Sequence, residues 1–487
     1  MPVAPADVAA LPKPGFLIGG KKFTDGDGGV HEHRYAATGE LTHKVPLGSA
    51  QDMDRAVKAA REAFKTWSKL PANERRKHLL RFAEKIREKS DALGKMMTAE
   101  NGTISGARAW SVNWVADLFE YNAGWADKIG GEVVTTFPGP AFDYTLDEPY
   151  GVIAVIVPWN GPFVSFGQTL APALAAGNTV VIKPPELAPY SCLMLGEVAL
   201  EAGIPPGVIN VVPAGPQGGD ALVRHPGVDK IHFTGSGATA KKIIAASLEN
   251  LTPFGLELGG KSARLVFEDA DIPGAVRRAI GSAIGNSGQA CICASRVLVQ
   301  ESIYENFVAD AKLALDQIRP GDPSLPTTMM GPVINQGAVD RILGFINRAQ
   351  EDGHRLVSGG SRLGGDYAGG YFVEPTIFAD VDHNAHLARN EVFGPILAFM
   401  PFKDEEDAIR IANETEFGLA AWLESENVKR VHRVAAALEA GTVWVNGFYD
   451  LPVGAPFGGH KQSGVGRVGG VWGIREFTRP KNVWLQL

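Results

Sequence analysis

The sequence predicts an α/β protein built from two doubly wound domains. Three observations carry that reading: short, wholly apolar, β-branched runs from residue 151 onward, helix-compatible stretches between them, and a second such series after Gly260. Strands buried on both faces read as unbroken apolar runs because neither face meets water. Crossover helices between them make parallel pairing the topology that closes simply. At roughly 150 residues per domain, the 487-residue chain has length for two large domains and an appendage.

Each element follows in order. Over residues 52–95 apolar side chains recur at helical spacing, first Ala56, Ala59, Ala60, Ala63 and Phe64, then Leu79, Leu80, Phe82, Ala83 and Ile86, predicting an antiparallel helical opening. Residues 130–149 read as a strand without a neighbour in sequence. The apolar runs GVIAVIVP (151–158), TVVIKP (179–184), GVINVVP (207–213) and KIHFTG (230–235) then start 28, 28 and 23 residues apart, with helix-compatible gaps such as 192–202. ARLVF (263–267), the helix-like stretch 272–288, RVLVQ (296–300), the helix-like stretch 304–318 and TVWVN (442–446) form the second series, with a boundary near 258. The final KNVWLQL alternates like an exposed strand. Two strands outside both sheets predict an arm that pairs with another subunit, giving a homodimer or homotetramer. The expected division is 1–127 with 150–257 as one domain, 258–465 as the other, and 128–149 with 466–487 as the arm.

Composition narrows the class. Hydrophobic residues at 45% and charged residues at 21% exclude a disordered, collagen-like or coiled-coil chain. With 47 basic against 54 acidic residues the net charge is −7, which offers no footprint for nucleic acid or an anionic membrane. No apolar run reaches the ~18 residues of a membrane span, and MPVAPADVAALPKPGFLIGG lacks a basic stretch followed by an apolar core. Three cysteines cannot build a disulfide framework, which points to a reducing compartment, so the expectation is a soluble cytoplasmic protein. Its partner is then a small molecule or another copy of itself.

Glycine is the unusual number, 58 of 487 residues. At that frequency roughly one match to an all-glycine G-x-G-x-x-G pattern is expected by chance. GVGRVG (464–469) is read as such an accident. GSGATA (235–240) follows the strand KIHF and has Glu257 about 20 residues on, which mimics a dinucleotide fingerprint, but it follows the fourth strand of the series rather than the first. A cofactor contact at this helix start is the preferred reading, with a structural turn as the bland alternative. GLELGGKS (255–262) satisfies a phosphate-loop pattern, yet a strand follows it where a helix is required.

Cys291, in GNSGQACICASR, stands apart. A lone cysteine is most often a small buried hydrophobe, the reading given to Cys192 and Cys293. No His or second Cys is placed to build a metal site with Cys291, whereas Asn160 in VPWNGP is a candidate oxyanion donor and Glu257 in LELGGKS a candidate base.

PWN (158–160), KPPE (183–186), FTGS (233–236), ELGGKS (257–262), GQAC (288–291), EVFGP (391–395) and PFGGHKQSGVGR (456–467) occur in the order and approximate spacing of one family. On these motifs the chain resembles the NAD(P)-dependent aldehyde dehydrogenase superfamily, over nearly its whole length. The resemblance implies a Rossmann-like NAD-binding domain over 1–127 and 150–257, a catalytic domain over 258–465, and oxidation of an aldehyde to its acid. Cys291 matches the family's nucleophile, adding to the carbonyl to give a thiohemiacetal that becomes a thioester. Asn160, with the Cys291 N–H, would hold the oxyanion, and Glu257 would activate the hydrolytic water. The resemblance puts Lys183 and Glu186 at the adenosine ribose, Gly235 and Ser236 at the pyrophosphate, Trp159 nearby, and Glu391 with Phe393 at the nicotinamide. Alone, Lys183 and Glu186 would read as surface charges and Phe393 as core. A carboxylate at Glu186 accepts from both ribose hydroxyls and repels a 2′-phosphate, which predicts NAD over NADP.

Departures from the family pattern bear on the substrate. Gly161, Gln168 and Gly285 stand where bulky or aromatic residues are common, which predicts a wider or more polar tunnel for a medium-sized or aromatic aldehyde. Val468 stands where a second Glu is frequent, so no proton-relay role is given to that position, and Glu476 nearby has no assigned role. The alternatives are a CoA-acylating relative, disfavoured by Glu257, a catalytically silent homologue, and a cysteine hydrolase using His232 or His460.

Overall fold

A computed structural model describes residues 8–137 and 139–486; residues 1–7 of the expected first domain, and 138 and 487 of the expected arm, lie outside them. The helical opening folds as Ala50–Trp67, Ala72–Glu88 and Ser90–Asn101. The first of these starts in a reciprocal cap: the Ser49 hydroxyl accepts from the Asp52 N–H at 3.3 Å while the Asp52 carboxylate accepts from the Ser49 N–H at 2.8 Å.

The first sheet has the order Lys21–Phe23, Phe16–Ile18, Ile209–Val211, Thr179–Lys183, Val152–Ile156, Lys230–Gly235, Phe254–Leu258, Gly464–Val465. Its five central strands are parallel. Val152, Ala154 and Ile156 pack with Met53, Ala56 and Leu222 on one face, while Ile153 and Val155 pack with Phe82, Phe166 and Leu170 on the other. This double burial is why the runs carry no polar alternation. The chain works outward from Val152–Ile156 to Ile209–Val211, then returns to the opposite side at Lys230–Gly235. The carboxyl ends of Val152–Ile156 and Lys230–Gly235 therefore flank the point where strand order reverses, the place in such sheets where a crevice opens.

The second sheet runs Arg355–Ser358, Thr376–Ala379, Ile396–Phe402, Arg296–Gln300, Ala263–Val266, Ala420–Glu424, Thr442–Val445, parallel except at Arg355–Ser358. Phe254–Leu258 leaves the first sheet at its carboxyl edge, and after four intervening residues Ala263–Val266 enters the second at its amino edge. The two edges thus face each other across a short connection, and this seam holds the candidate site.

Three expectations change. The strands taken as partnerless are each other's partners: Ala141–Pro149 pairs antiparallel with Thr478–Gln486 along its whole length, from Thr478↔Pro149 to Gln486↔Ala141, with Val133–Val134 on the far side. Sequence adjacency cannot reveal a pairing between segments so far apart. Residues 466–477 also stand outside this small sheet. Gly464–Val465 rejoins the first sheet against Leu256 and Glu257, and the helix Gly470–Glu476 follows before the arm strand begins at Thr478. The helix-like stretch 272–288 is helical only over Ile272–Ile284.

Candidate active site

Cys291 lies in the seam on the turn that precedes Arg296–Gln300. The helix Ile272–Ile284 stops short of it because Asn286 (φ 47°) and Ser287 (φ 55°) take left-handed backbone, followed by Gly288 (φ 71°). Such conformations cost about 1–3 kcal/mol each for residues other than glycine and persist only when their surroundings enforce them. Here Ser287 Oγ donates to the Gly331 carbonyl at 2.8 Å, and Asn286 Nδ2 donates to the Asn160 and Gln289 carbonyls at 3.1 Å each. Gln289 Oε1 accepts from the Ile334 N–H at 2.9 Å. At Gly288 a Cβ would fall 2.1 Å from the Gly394 carbonyl oxygen, so the GQAC turn backs directly onto the EVFGP loop.

Asn160 follows the strand Val152–Ile156, and its Nδ2 donates to the Gln289 carbonyl at 2.9 Å, which anchors the amide two residues before Cys291. One of its two N–H bonds serves that contact. Asn101, at the end of Ser90–Asn101, holds the same segment by donating to the Trp159 carbonyl at 3.3 Å.

Glu257 is the penultimate residue of Phe254–Leu258 and is 5% exposed. Its Oε2 has no hydrogen-bond partner among the described residues, and Gly458 leaves space beside Oε1 that a Cβ would invade to 2.8 Å. Burial holds its carboxyl well above the ordinary range, with Arg467 pulling down and Glu476 pushing up. Burial likewise pushes the Cys291 thiol up, and the charges of Glu391, Glu257 and Cys293 add to this, while its own N–H favours the thiolate. A thiol in that state is a weak nucleophile until a base removes its proton.

Across the seam, Glu391 Oε1 accepts from the Gly260 N–H at 3.1 Å, and Gly259 admits the carboxylate because a Cβ there would meet Oε2 at 2.2 Å. Burial raises Glu391, opposed by the Gly260 N–H, Lys261 and Arg341. The Trp159 and Phe393 rings meet edge to face at 5.4 Å, and Phe393 has φ 53°. Arg341 grips the carbonyls of Val392 and Phe393.

At the crevice, Ser236 caps the helix Gly237–Ser247, its Oγ accepting from the Thr239 N–H at 3.3 Å, and the space beside Gly237 is open. Gly235 is required by its neighbour, since a Cβ would strike the Phe233 ring at 2.5 Å. Lys183 ends Thr179–Lys183, on the far side of Val152–Ile156, and is 8% exposed, with Nζ donating to the Ala214 carbonyl at 2.6 Å. Burial lowers its ammonium and Glu186 opposes this. An open helix start, a capping hydroxyl and a Lys–Glu pair at a strand-order reversal fit the pyrophosphate and ribose of a dinucleotide.

The tunnel residues are not brought into one cavity. Gln168 shares a cavity wall with Trp114, Leu118, Leu451 and Phe457, and neither Gly161 nor Gly285 lines it. Gly161 has only Val164 in reach, at 3.9 Å, and Gly285 faces the Tyr449 ring at 3.5 Å. His232 is 2% exposed under the first sheet, pushed down to about 3 by burial, and His460 is exposed on a short strand. His232 packs against the Phe477 ring at 5.8 Å and His460 pairs with Gly418, so among the described residues no contact ties either histidine to Cys291. Val468 is 1% exposed and exchanges backbone hydrogen bonds with Phe457. Arg341 and Asn101 carry no local sequence signal of their own, and Gln289 and Gly458 stand inside the GQAC and PFGGHKQSGVGR motifs without being singled out by them; each acquires its place from a contact distant along the chain.

A model of the Aldehyde dehydrogenase family matches residues 23–483. The benzaldehyde dehydrogenase, mitochondrial, of Antirrhinum majus is 41% identical over 451 residues, covering 92% of this chain and 84% of that protein. PnpE from Pseudomonas sp. WBC-3, whose structure is known in complex with nicotinamide adenine dinucleotide, superposes with a TM-score of 0.95 at 39% identity, covering 97% and 98% of the two chains. The betaine aldehyde dehydrogenase of Staphylococcus aureus in complex with NAD+ gives 0.96 at 33% identity over 99% and 97%. Among the described residues no helix is long and apolar enough to cross a membrane. With the fold, the ordered motifs and these likenesses in agreement, the chain belongs to the aldehyde dehydrogenase family, oxidoreductases that act on the aldehyde group.

Proposed function

We propose that this chain oxidises a medium-sized or aromatic aldehyde to its carboxylic acid with NAD, through a covalent intermediate on Cys291. The observation that carries this is the seam itself: a buried carboxylate without a partner, Glu257, and an anchored amide, Asn160, flank one thiol. The Cys291 thiol gives up its proton to water, and its sulfur adds to the carbonyl carbon to form a thiohemiacetal. The free N–H of Asn160 and the Cys291 amide receive the oxyanion. NAD, when bound, supplies the acceptor for the hydride that leaves this carbon. Cys291 is then an acyl thioester, and Glu257 draws a proton from water as its oxygen attacks the acyl carbon, releasing the acid and restoring the thiol.

Trp159, Phe393 and Glu391 would bracket the nicotinamide end, with Gly235, Ser236, Lys183 and Glu186 at the other. Glu186 supports NAD over NADP, because a carboxylate beside the ribose repels a 2′-phosphate. Two structural neighbours are described as complexes with NAD. A kcat/KM for NADP above that for NAD would overturn the preference. The Antirrhinum majus relative is named for benzaldehyde, and the Trp114, Leu451 and Phe457 wall beside Gln168 supports an aromatic substrate. A kcat/KM highest for acetaldehyde would refute that choice. Exposed Val133, Phe142 and Trp484 on the small sheet support its use between copies in a homodimer or homotetramer. Three free cysteines support a reducing compartment such as the cytoplasm, though the Antirrhinum majus relative is named as mitochondrial.

The test is Glu257→Gln. We expect a burst of NADH of one equivalent per site followed by turnover reduced ~10²–10⁴-fold. Undiminished steady turnover, or wild-type turnover that requires CoA, would sink the hydrolytic reading.

A further inference from the structure

Behind Glu257 the first sheet carries a polar row in an otherwise apolar face. Lys230 and His232 project from Lys230–Gly235, and Gly255 and Glu257 from the neighbouring strand, with His232 opposite Gly255 and Thr234 opposite Glu257. The helix Gly470–Glu476 lays Glu476 over this row. Lys230 Nζ lies 2.8 Å from Glu476 Oε1, and the two side chains are 6% and 11% exposed. Glycine makes the room. A Cβ at Gly255 would fall 2.4 Å from Glu476 Oε1 and 2.9 Å from His232 Nδ1, and one at Gly466 would fall 2.6 Å from Glu476 Oε2. The space for this carboxylate is therefore built by two glycines, one on the strand that carries Glu257 and one just after the strand Gly464–Val465 that pairs with it. Among the described residues Glu257 Oε2 and His232 Nδ1 are buried without hydrogen-bond partners, so the row holds polar groups left unsatisfied there.

We propose that Glu476, clamped by Lys230 between Gly255 and Gly466, is a positioning residue for Glu257, its fixed charge setting how readily Glu257 accepts a proton from water. This rests on Glu257 acting as the base. The charged and titratable groups that face Glu257 are Arg467 from the turn after Gly464–Val465, Glu476 from the helix above, Lys230 and His232 along the strand beside it, and Cys291 across the seam. Arg467 favours the ionised form and Glu476 opposes it. His232 is held neutral, so the balance lies between Arg467 and the Glu476–Lys230 pair. Lys230 also lies 4.9 Å from the Tyr150 ring centre, which fixes the ammonium and through it the carboxylate. Glu476 does not touch the reacting atoms; it makes Glu257 a stronger base, kept from permanent ionisation by a like charge in a low dielectric.

The experiment is the pH profile of steady-state kcat at saturating aldehyde and NAD for wild type, Glu476→Gln, Glu476→Asp and Glu257→Gln. Glu476→Gln is expected to move the acid-side limb down by about one pH unit, since it leaves Lys230 and Arg467 unopposed beside Glu257. Glu476→Asp, which keeps the charge, is expected to restore the wild-type limb. An acid limb unmoved in Glu476→Gln overturns the proposal, whatever happens to kcat. Should Glu476→Gln not fold, Lys230→Met is expected to move the limb the opposite way, and a limb that stays in place there overturns the proposal too. If Glu257→Gln turns over at the wild-type rate, the role of Glu257 fails; if Glu257→Gln is impaired and Glu476→Gln leaves the limb alone, only this inference fails.

Discussion

Replacing Gly259 with alanine should strike the cofactor end of the site without touching the nucleophile. The new Cβ would lie 2.2 Å from Glu391 Oε2, 2.7 Å from its Cδ and 2.8 Å from Oε1. A carbon and an oxygen rest at roughly 3.3 Å or more, so the carboxylate must retreat by about 1 Å. The Gly260 N–H, now 3.1 Å from Oε1, belongs to a backbone held close to the Cys291 carbonyl, where even a Cβ on Gly260 would fall 2.9 Å from that oxygen, so it has little room to follow. Losing a hydrogen bond to a charged group costs about 1.5–3 kcal/mol, and a displaced Glu391 would also lose the nicotinamide ribose it is proposed to hold. The expected result is a KM for NAD raised about 10–100-fold. Initial rates over a range of NAD at saturating aldehyde measure it, with Gly344→Ala as control, since nothing lies within 4 Å of a Cβ at Gly344. A KM for NAD within about twofold of wild type would refute both the displacement and the role given to Glu391.

Asn160→Ala should lower kcat/KM for aldehyde ~10²–10³-fold with little loss of thermal stability, because the Gln289 carbonyl keeps Asn286 as a donor at 3.1 Å. Stopped-flow NADH formation and a melting curve check the two halves. Gly285 has φ −56° and meets only the Tyr449 ring, so Gly285→Phe should fold and lower kcat/KM for aromatic aldehydes by about 10-fold or more relative to acetaldehyde. Equal losses for both substrates would remove Gly285 from the specificity argument. Glu100 is 1% exposed and burial raises its carboxyl to about 7, so the folded protein keeps a proton that the unfolded chain has released, and stability falls as pH rises from the unfolded value through 7. Buried His33, lowered to about 4, has the opposite effect on the acid side, and comparing Glu100→Gln with wild type cancels it. Denaturant midpoints should show the variant gaining about 2–3 kcal/mol over wild type between pH 5 and pH 8; a constant difference would refute the raised carboxyl.

The fold class was legible because burial on both faces writes itself into local sequence. Runs such as TVVIK and IHF admit no alternation when both sides are covered, and the same physics marked the second series. Cys291, Asn160 and Glu257 were legible as chemistry-bearing residues in ordered motifs, although their shared orientation around one thiol was not. The glycines were the least readable. GVGRVG looked like chance, yet Gly464, Gly466 and Gly469 all have positive φ, and Gly466 lies against Glu476. GLELGGKS matches a phosphate-loop pattern that the following strand rules out, and the sequence left open what its glycines do: Gly259 and Gly260 are where Glu391 and the Cys291 carbonyl approach the backbone.

The sequence alone determined that two parallel sheets form, that a thiol, an amide and a carboxylate stand at their connecting segments, and that the net charge is negative. Tertiary structure alone decided which carboxylate stands behind Glu257, which loop Gly288 backs onto, and that Ala141–Pro149 and Thr478–Gln486 pair with each other. The physical reason is range. Burial and backbone conformation act through neighbours in the chain and leave a local pattern, whereas a charge or a missing Cβ acts through space, and Glu476 meets Glu257 across 219 residues of sequence.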